Sequence, residues 1–308
     1  MRLLIAGATG FVGRRLVETL MEAGDEVCAV VRRADHGLAC DAFLVDDALD
    51  PQAYADIART NGTEVVINLT AAGVTPSERN VDVLLEVNAT FPARLAQAVA
   101  QAGARAFIHM GSSAEYAPDH TMAPIGEAAT LEAERLYGAT KAAGSLLVQT
   151  VVRNAGMPGA VLRAFNIFGP GEKPYRLFPA LVEGLSQGRP INLSEGGQLR
   201  DFLYVDDVAA AIRRVACALL EDGSCGGVYN LGSGEPLAVR DFALAVARIL
   251  NADEQLLRFG ALPLRPDDLP YVVADTSKLA RAIGPAKRRT LEEAIESGAR
   301  AICAGGSS

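Results

Sequence analysis

The chain begins with the stretch Leu3-Leu4-Ile5-Ala6-Gly7-Ala8-Thr9-Gly10-Phe11-Val12-Gly13, in which an apolar run leads directly into three evenly spaced glycines. The apolar run is typical of a buried strand, and the amphipathic residues 13–23 predict a helix directly after it. Gly7 permits a tight turn, Gly10 a close approach of a phosphate, and Gly13 close packing of the helix on the strand. The stretch therefore predicts a βα unit with an anion site at the helix N-terminus.

The same rhythm continues through the first half of the chain. Apolar runs predict strands at residues 3–6, 27–31, 65–69, 107–110 and 160–163. Amphipathic runs predict helices at residues 13–23, 51–60, 81–102 and 136–154. Strands that alternate with helices predict an α/β fold with a doubly wound parallel (Rossmann) sheet, whose ligand binds at the carboxyl ends of the strands.

The pattern changes after about residue 165, where glycine and proline clusters interrupt it. It then returns to a strand at 202–205, a helix at 208–221 and a strand at 228–231. We therefore expect a dinucleotide-binding domain of residues 1–165 plus about 202–234. A smaller, discontinuous α/β substrate lobe would comprise about 166–201 plus 235–308.

Composition excludes several classes of function. The net charge of −8 argues against a nucleic-acid partner, and no basic amphipathic stretch favours a membrane surface. No apolar run reaches about 18 residues, the length that a membrane span needs. The five cysteines and three histidines show no metal-ligand spacing, so we expect no metal site. An odd number of scattered cysteines and the lack of a cleavable signal suit reduced thiols in the cytoplasm.

The residues after the second strand bear on the choice of cofactor. An NAD site wants a carboxylate there, whereas this strand runs into Arg32 and Arg33, whose guanidinium groups suit a 2′-phosphate. We therefore favour NADP, with NAD as the alternative; both arginines could equally belong to a solvated loop. Asp46 and Asp47 either hold the adenine edge or form a simple turn. The predicted cofactor contacts are Gly7, Thr9, Gly10, Phe11, Val12, Gly13, Arg32, Asp46, Asp47, Leu69, Ala71, Tyr137 and Lys141.

Tyr137 and Lys141 lie four residues apart on a predicted helix, so their side chains share one face. The ammonium stabilises a tyrosinate and lowers the tyrosine pKa from its ordinary value near 10. Such a tyrosine exchanges a proton with a substrate oxygen while the neighbouring carbon takes or gives hydride. The Ser112-Ser113 pair ends the preceding strand, where one hydroxyl could orient the same oxygen or simply cap a turn.

Together the glycine turn, the serine pair and the Tyr137/Lys141 pair resemble the extended short-chain dehydrogenase/reductase family. Later segments are similar to its nucleotide-sugar epimerase, dehydratase and reductase branch: Leu162-Arg-Ala-Phe-Asn166-Ile-Phe-Gly169-Pro170, Gly196-Gly-Gln-Leu-Arg200-Asp201-Phe202, Val228-Tyr-Asn230-Leu-Gly232 and Asp275-Thr-Ser-Lys278. The segments Ser112-Ser-Ala-Glu-Tyr116 and Arg265-Pro-Asp-Asp-Leu-Pro270 look most like the reductases of GDP-4-keto-6-deoxymannose and related sugars.

The resemblance implies specific roles. Tyr137 would be the acid/base, Lys141 its partner, and Ser113 rather than Ser112 the orienting hydroxyl. The implied substrate contacts are Ser112, Ser113, Glu115, Asn166, Arg200 and Arg265. Arg200 could instead pair with Asp201 or Asp206, and Arg265 with Asp267 or Asp268.

The resemblance also implies a reaction. The expected activity is NAD(P)H-dependent reduction of a nucleotide-linked 4-keto-6-deoxyhexose, by a protein that acts as a homodimer. The main alternative is a 4-epimerase that holds NAD tightly. A 4,6-dehydratase is disfavoured because the Asp of its Asp-Glu pair is replaced by Ala114. From another class, a non-catalytic dinucleotide sensor on the same fold would not need the Ser/Tyr/Lys set.

Overall fold

A computed structural model describes residues 1–75, 78, 80–119, 121–221, 223, 225–264, 268–285 and 288–305. In the first half of the chain strands and helices alternate, in the order β1 (Arg2–Ala6), α1 (Phe11–Glu22), β2 (Glu26–Val31), β3 (Asp41–Leu44), α2 (Pro51–Asn61), β4 (Val65–Asn68), α3 (Val81–Leu85), α4 (Phe91–Gln101), β5 (Ala106–Ser112), α5 (Leu136–Asn154) and β6 (Gly159–Ala164).

The second half contains shorter strands, in the order β7 (Asn166–Phe168), α6 (Leu177–Ser186), β8 (Ile191–Asn192), β9 (Leu199–Tyr204), α7 (Val205–Glu221), β10 (Gly227–Leu231), β11 (Pro236–Ala238), α8 (Val239–Ile249), β12 (Leu257–Arg258), β13 (Tyr271–Val272), α9 (Ser277–Ile283) and α10 (Leu291–Gly305).

Seven parallel strands form the large sheet, in the order β10-β6-β5-β4-β1-β2-β3. The order reverses between β1 and β4, the place where doubly wound sheets bind their ligands. One buried cluster covers the face packed by α1 and α7, and a second covers the face packed by α2, α4 and α5. The predicted doubly wound α/β fold is confirmed.

The helix predicted at residues 81–102 has an irregular centre. The structure has α3, then a π-helical segment over Glu86–Thr90, then α4 with Pro92 in its first turn. Within the π-helical segment Asn88 is fully buried. Its carboxamide accepts a hydrogen bond from Ala72 N at 2.9 Å and donates to Ala72 O and to Thr140 Oγ1. The segment therefore ties the loop after β4 to helix α5.

The smaller sheet has the order β11-β9-β13, and β7 pairs with one end of β9. The strand predicted at 202–205 is thus part of β9 and lies in the small sheet; the chain rejoins the large sheet's layers at Val205, where α7 begins. A third cluster of buried residues joins α6, α8 and α10 to β9. The proposed two-lobe division therefore places its second boundary near Val205.

Candidate active site

The glycine turn at the end of β1 is shaped by close backbone contacts. Gly7 has φ of +82°, and a Cβ on it would lie 3.1 Å from the Leu69 carbonyl carbon. A Cβ on Gly13 would lie 2.3 Å from the Gly7 carbonyl oxygen. Both positions therefore require glycine, because any other residue would separate α1 from β1 and β4.

The N-terminus of α1 is suited to an anion. Gly10 is its N-cap, so no side chain caps the helix, and the first turn contains no acidic residue. Gly10 N donates to Gly7 O at 3.1 Å, which holds the turn closed. Free N–H groups and the positive end of the helix dipole face the same point, as in a pyrophosphate site. Phe11 and Val12 pack towards the small lobe's buried cluster, and Thr9 is exposed.

The segment after β4 lies beside the glycine turn. Leu69 N donates to Ala6 O at 2.9 Å, and Ala71 is exposed. Asn68, which is fully buried, accepts hydrogen bonds from Thr70 N and Thr70 Oγ1. Its Nδ2 lies 3.2 Å from His109 Nδ1 on the adjacent strand β5, so Asn68 holds the segment against the sheet.

The residues predicted to select the adenosine end are all at the surface. Arg32 and Arg33 follow β2 directly, and both are exposed. Asp46 and Asp47 follow β3 and are exposed too; Asp47 Oδ1 accepts a hydrogen bond from Leu49 N at 2.8 Å, as a turn aspartate does. The structure therefore has two cationic side chains, and no carboxylate, immediately after β2.

Tyr137 and Lys141 lie on the first turns of α5, against the carboxyl ends of β4 and β5. Lys141 Nζ donates to Met110 O on β5 at 2.7 Å. A Cβ on Gly73 would lie 3.3 Å from Tyr137 Cδ2, so the loop after β4 contacts the ring. A Cβ on Gly138 would lie 2.1 Å from Ala114 O, so α5 also contacts the serine turn. The fold thus brings the predicted serine, tyrosine and lysine to one edge of the sheet.

Lys141 is 2% exposed, although it is a lysine. Burial lowers its pKa to about 8, and the Glu115 carboxylate opposes part of that effect. Burial, and then the Lys141 charge, hold the pKa of His109 well below its usual range. His109 is therefore neutral, and Lys141 is half protonated at about pH 8.

The two serines at the end of β5 make different contacts. Ser112 Oγ accepts a hydrogen bond from Ala114 N at 3.1 Å and so caps the short 3₁₀ turn over Ser113–Glu115. The Ser113 side chain has no hydrogen-bond partner within the part of the chain that the structure describes, and it is partly exposed. This difference supports Ser113 as the orienting hydroxyl, which stays a proposal.

Glu115 does not lie where a substrate could reach it. It is completely buried, and its carboxylate accepts hydrogen bonds from Ser112 N, Ser145 Oγ and Arg163 Nε at 2.9, 2.9 and 2.7 Å. The 3₁₀ turn directs the side chain into the core between α5 and β6. The expectation that Glu115 contacts substrate is therefore corrected.

Asn166 and Arg200 line a cavity of about 420 Å³ in the small lobe. Arg200 pairs with Asp268, rather than with Asp201 or Asp206, and also donates to the carbonyl oxygens of Leu199 and Leu269. Asp201, which is fully buried, accepts from the backbone N–H groups of Ser233, Gly234 and Ala274. Arg265 lies outside the described residues.

The same cavity has two buried oxygens without a hydrogen-bond partner among the described residues, Glu172 Oε2 and Gln198 Oε1. Burial raises the pKa of Glu172 to about 7, against the opposing effect of Arg176. Gln198 Nε2 donates to Asp268 at 3.1 Å, which orients the amide. A volume of this size with a few polar groups is typical of a small-molecule site.

Several buried polar residues of this region were not predicted. Each is a polar residue within an otherwise apolar strand or helix, and that pattern was the available signal. They are Asn68, Asn88, His109, Ser145 and Arg163. Ser145 had the clearest signal, because it continues the four-residue spacing of Tyr137 and Lys141 along one helix face.

Over the described ranges, no three or more potential metal-ligating side chains come together. In the same part of the chain, no helix combines the length and the apolarity that crossing a membrane requires.

The geometry agrees with the comparisons to known proteins. The chain is 31% identical over 196 residues, 62% of its length, to the trifunctional UDP-glucose 4,6-dehydratase/UDP-4-keto-6-deoxy-D-glucose 3,5-epimerase/UDP-4-keto-L-rhamnose-reductase of Arabidopsis thaliana, of which it covers 28%. It is 26% identical to the dTDP-6-deoxy-L-talose 4-dehydrogenase (NAD(P)(+)) of Kitasatospora kifunensis, with 96% of this chain and 93% of that protein covered.

Among solved structures, the UDP-glucose 4-epimerase of Thermus thermophilus in complex with NAD superposes with a TM-score of 0.84, at 26% identity and full coverage of both chains. The sequence profile described as the NAD dependent epimerase/dehydratase family matches residues 3–232. Both findings confirm the resemblance that the motifs indicated. With a match over most of its length and the Ser/Tyr/Lys set at one sheet edge, the chain belongs to the NAD-dependent epimerase/dehydratase family, within the extended short-chain dehydrogenases/reductases.

Proposed function

We propose that this protein is a reductase that uses NADPH to reduce the C4 ketone of a nucleotide-linked 4-keto-6-deoxyhexose. The proposal rests mainly on the Tyr137/Lys141 pair, buried beside the serine turn at the carboxyl edge of the sheet. Arg32, in the place where an NAD site carries a carboxylate, supports NADPH as the cofactor, the usual reductant.

The chain's own residues fit a dinucleotide. The uncapped N-terminus of α1 suits the pyrophosphate, and the exposed Arg32 suits a 2′-phosphate. Asp46 and Asp47 follow the next strand, and we expect them to contact the adenine edge. Leu69 and Ala71 offer backbone and small side chains beside the glycine turn.

A bound reduced nicotinamide would supply the hydride that C4 accepts. Tyr137 donates its hydroxyl proton to O4, so the C4=O bond becomes C4–O–H. Lys141, one helical turn away, stabilises the tyrosinate that remains until solvent returns a proton. Ser113 donates a hydrogen bond to the same oxygen and orients it.

The small-lobe cavity supports a nucleotide-diphosphate sugar as the substrate. Asn166 and Arg200 line it, and a guanidinium binds phosphate oxygens with two parallel hydrogen bonds. In this proposal Arg200 exchanges its bond to Asp268 for the diphosphate, and Arg265 contributes a second guanidinium. The Kitasatospora relative, named as a dehydrogenase that acts at position 4 of a deoxy sugar, also supports this substrate class.

A 4-epimerase is the second candidate, and the NAD complex of the Thermus epimerase favours it. Both reactions need the same tyrosine and lysine, because each passes hydride at C4. An epimerase would purify with tightly held NAD and would need no added cofactor.

One assay separates the two candidates. Absorbance at 340 nm is followed with NADPH or NADH and a panel of GDP-, dTDP- and CDP-linked 4-keto-6-deoxyhexoses. Loss of reductant in proportion to the sugar supports the reductase. No loss of reductant, with conversion of an ordinary nucleotide hexose to its C4 epimer, would replace it with the epimerase.

We also propose that the protein acts as a homodimer through α3, α4 and α5. Large apolar side chains are exposed on α3 (Val81, Val83, Leu85) and on α5 (Leu146, Leu147), at 44–51% of their full area. These helices contact one another, so the exposed side chains belong to one region. Sedimentation equilibrium should give twice the monomer mass, and Leu146→Glu should give the monomer mass; a monomeric wild type would contradict the proposal.

A further inference from the structure

Glu115 bonds to three elements, and the proposed chemistry depends on the relative positions of two of them, the serine turn and helix α5. Its Oε1 accepts from Ser112 N, in the serine turn, and from Ser145 Oγ, on the helix of Tyr137 and Lys141. Its Oε2 accepts from Arg163 Nε on β6. The carboxylate therefore fixes the spacing between the hydroxyl-bearing turn and the acid/base helix.

The surroundings of Glu115 leave it no freedom to move. A Cβ on Gly111 would lie 2.5 Å from Glu115 Oε1, and a Cβ on Gly138 would lie 2.1 Å from Ala114 O. Glycine at both positions lets the strand end and the helix approach the carboxylate closely. Arg163 is 2% exposed, so each member of the ion pair would be an uncompensated buried charge without the other.

The charge of Glu115 also acts on the catalytic pair. The titratable groups that interact electrostatically with Lys141 are His109 on β5 and Glu115 on the turn. Tyr137 lies one turn before Lys141 on α5. The negative charge of Glu115 raises the pKa of Lys141 and so favours the protonated ammonium. His109 is neutral and Arg163 is already paired with Glu115.

We propose that Glu115 is a positioning residue, which sets the distance from the serine turn to Tyr137 and places a negative charge near Lys141. This inference rests on the proposed roles of Tyr137 and Lys141, whichever of the family's reactions they perform. It replaces the direct contact with substrate that the sequence suggested for Glu115.

Two variants test the geometry. Ser145→Ala removes only the bond between Glu115 and α5, and Glu115→Gln removes the charge and places an N–H where an acceptor is needed. We expect kcat to fall about three- to tenfold for Ser145→Ala and about 10- to 100-fold for Glu115→Gln, with KM within about threefold of wild type. Glu127→Gln is the control, because the Glu127 carboxylate accepts from Asn230 N on β10, and only its backbone carbonyl, which the substitution keeps, bonds to Arg163.

A purely structural role would lower the melting temperature and leave kcat per folded molecule unchanged in both variants, which would overturn the proposal. A fall in kcat as large for Glu127→Gln as for Glu115→Gln would overturn it too. Folded protein is verified by circular dichroism before each assay, and Ser145→Ala serves if Glu115→Gln does not fold.

A second readout needs no substrate and so separates this inference from the proposed function. The chain has four lysines, so the Cε signal of Lys141 can be assigned with a Lys141→Met sample and titrated by NMR. We expect the Lys141 pKa to lie near 8 in the wild type and lower in Glu115→Gln, and the alkaline limb of kcat to move to lower pH with it. An unchanged titration in Glu115→Gln would refute the electrostatic part, whether or not the wild type reduces any keto sugar.

Discussion

The cofactor edge of the large sheet and the cavity of the small lobe are built on different principles. At the cofactor edge, backbone segments pack directly against one another. A Cβ on Gly7, Gly13 or Gly138 would lie 3.1 Å or less from a backbone atom of another residue. In the cavity, the lining consists of side chains, and Glu172 and Gln198 each keep one buried oxygen without a partner among the described residues. The edge therefore tolerates little change at these glycines, whereas the cavity can change its ligand by changing side chains.

The largest expected effect is at the edge. Tyr137→Phe removes the proposed proton donor and keeps the ring, so kcat should fall by about 10²- to 10⁴-fold while the cofactor Kd changes little. Stopped-flow assays and fluorescence titration with NADPH measure the two quantities. Tyr54→Phe, which removes a buried hydroxyl bonded to Ala48 O, is the control. Activity retained in Tyr137→Phe would remove the acid/base assignment.

Gly138→Ala tests whether backbone contact governs the edge. Alanine normally stabilises a helix relative to glycine, by about 0.5–1 kcal/mol. Here the added Cβ would meet Ala114 O at 2.1 Å, so we expect the free energy of unfolding to fall by about 1–3 kcal/mol and kcat to fall with it. Gly126→Ala lies in a loop where the Cβ would meet nothing within 4 Å, so it controls for the added methyl group in urea denaturation. A Gly138→Ala variant as stable as the wild type, or more stable, would contradict the close contact.

Arg32→Glu tests whether the side chain after β2 selects NADPH over NADH. A carboxylate after β2 should repel a 2′-phosphate and bond to a ribose hydroxyl instead. We expect the ratio of kcat/KM for NADPH to that for NADH to fall by about tenfold or more. Arg59→Glu, on the exposed face of α2, should leave the ratio unchanged. A ratio unaffected by Arg32→Glu would assign both arginines to a solvated loop.

The smallest expected effect is a change in the pH dependence of stability, caused by Glu172 in the cavity. Because the pKa of Glu172 is raised to about 7 in the folded state, ionisation of this carboxyl destabilises the fold as the pH rises from about 5 through 7. Glu172→Gln cannot ionise, so its stability relative to wild type should increase by about 1 kcal/mol or more between pH 5 and pH 8. Urea denaturation at both pH values measures this. Glu254→Gln, at an exposed ion pair with Arg248, should show no such pH trend.

The sequence was sufficient for the large sheet and for the approximate place of the site. Apolar runs and the glycine turn predicted β1, β2, β4, β5 and β6, because parallel strands buried on both faces must be apolar throughout. The four-residue spacing of Tyr137 and Lys141 predicted a shared face, since helix geometry is local. The edge strand β3 is short and only partly buried, so its signal was weak.

The directions of side chains in irregular segments could not be predicted. Glu115 was expected at the substrate because it follows Ser113 closely, but a 3₁₀ turn directs it into the core. The strand predicted at 202–205 was assigned to the large sheet, but residues 202–204 pair with β7, and the rest of β9 pairs with β11 and β13. These partners are distant in sequence, so the apolar run alone could not identify them. The partner of Arg200 was also misjudged, because Asp268 is separated from it by 68 residues.

The π-helical segment over Glu86–Thr90 has a consequence for insertions and deletions in this family. A π turn accommodates one residue more than an α turn, so removing a single residue here would leave a continuous α-helix. Because the π turn absorbs its extra residue within one turn, the helix faces on either side would keep their orientation, and Phe91 and Leu95 would stay in the core. A one-residue gap at this position in a relative would therefore mark loss of the π turn and a different partner for Ala72, with the core left intact.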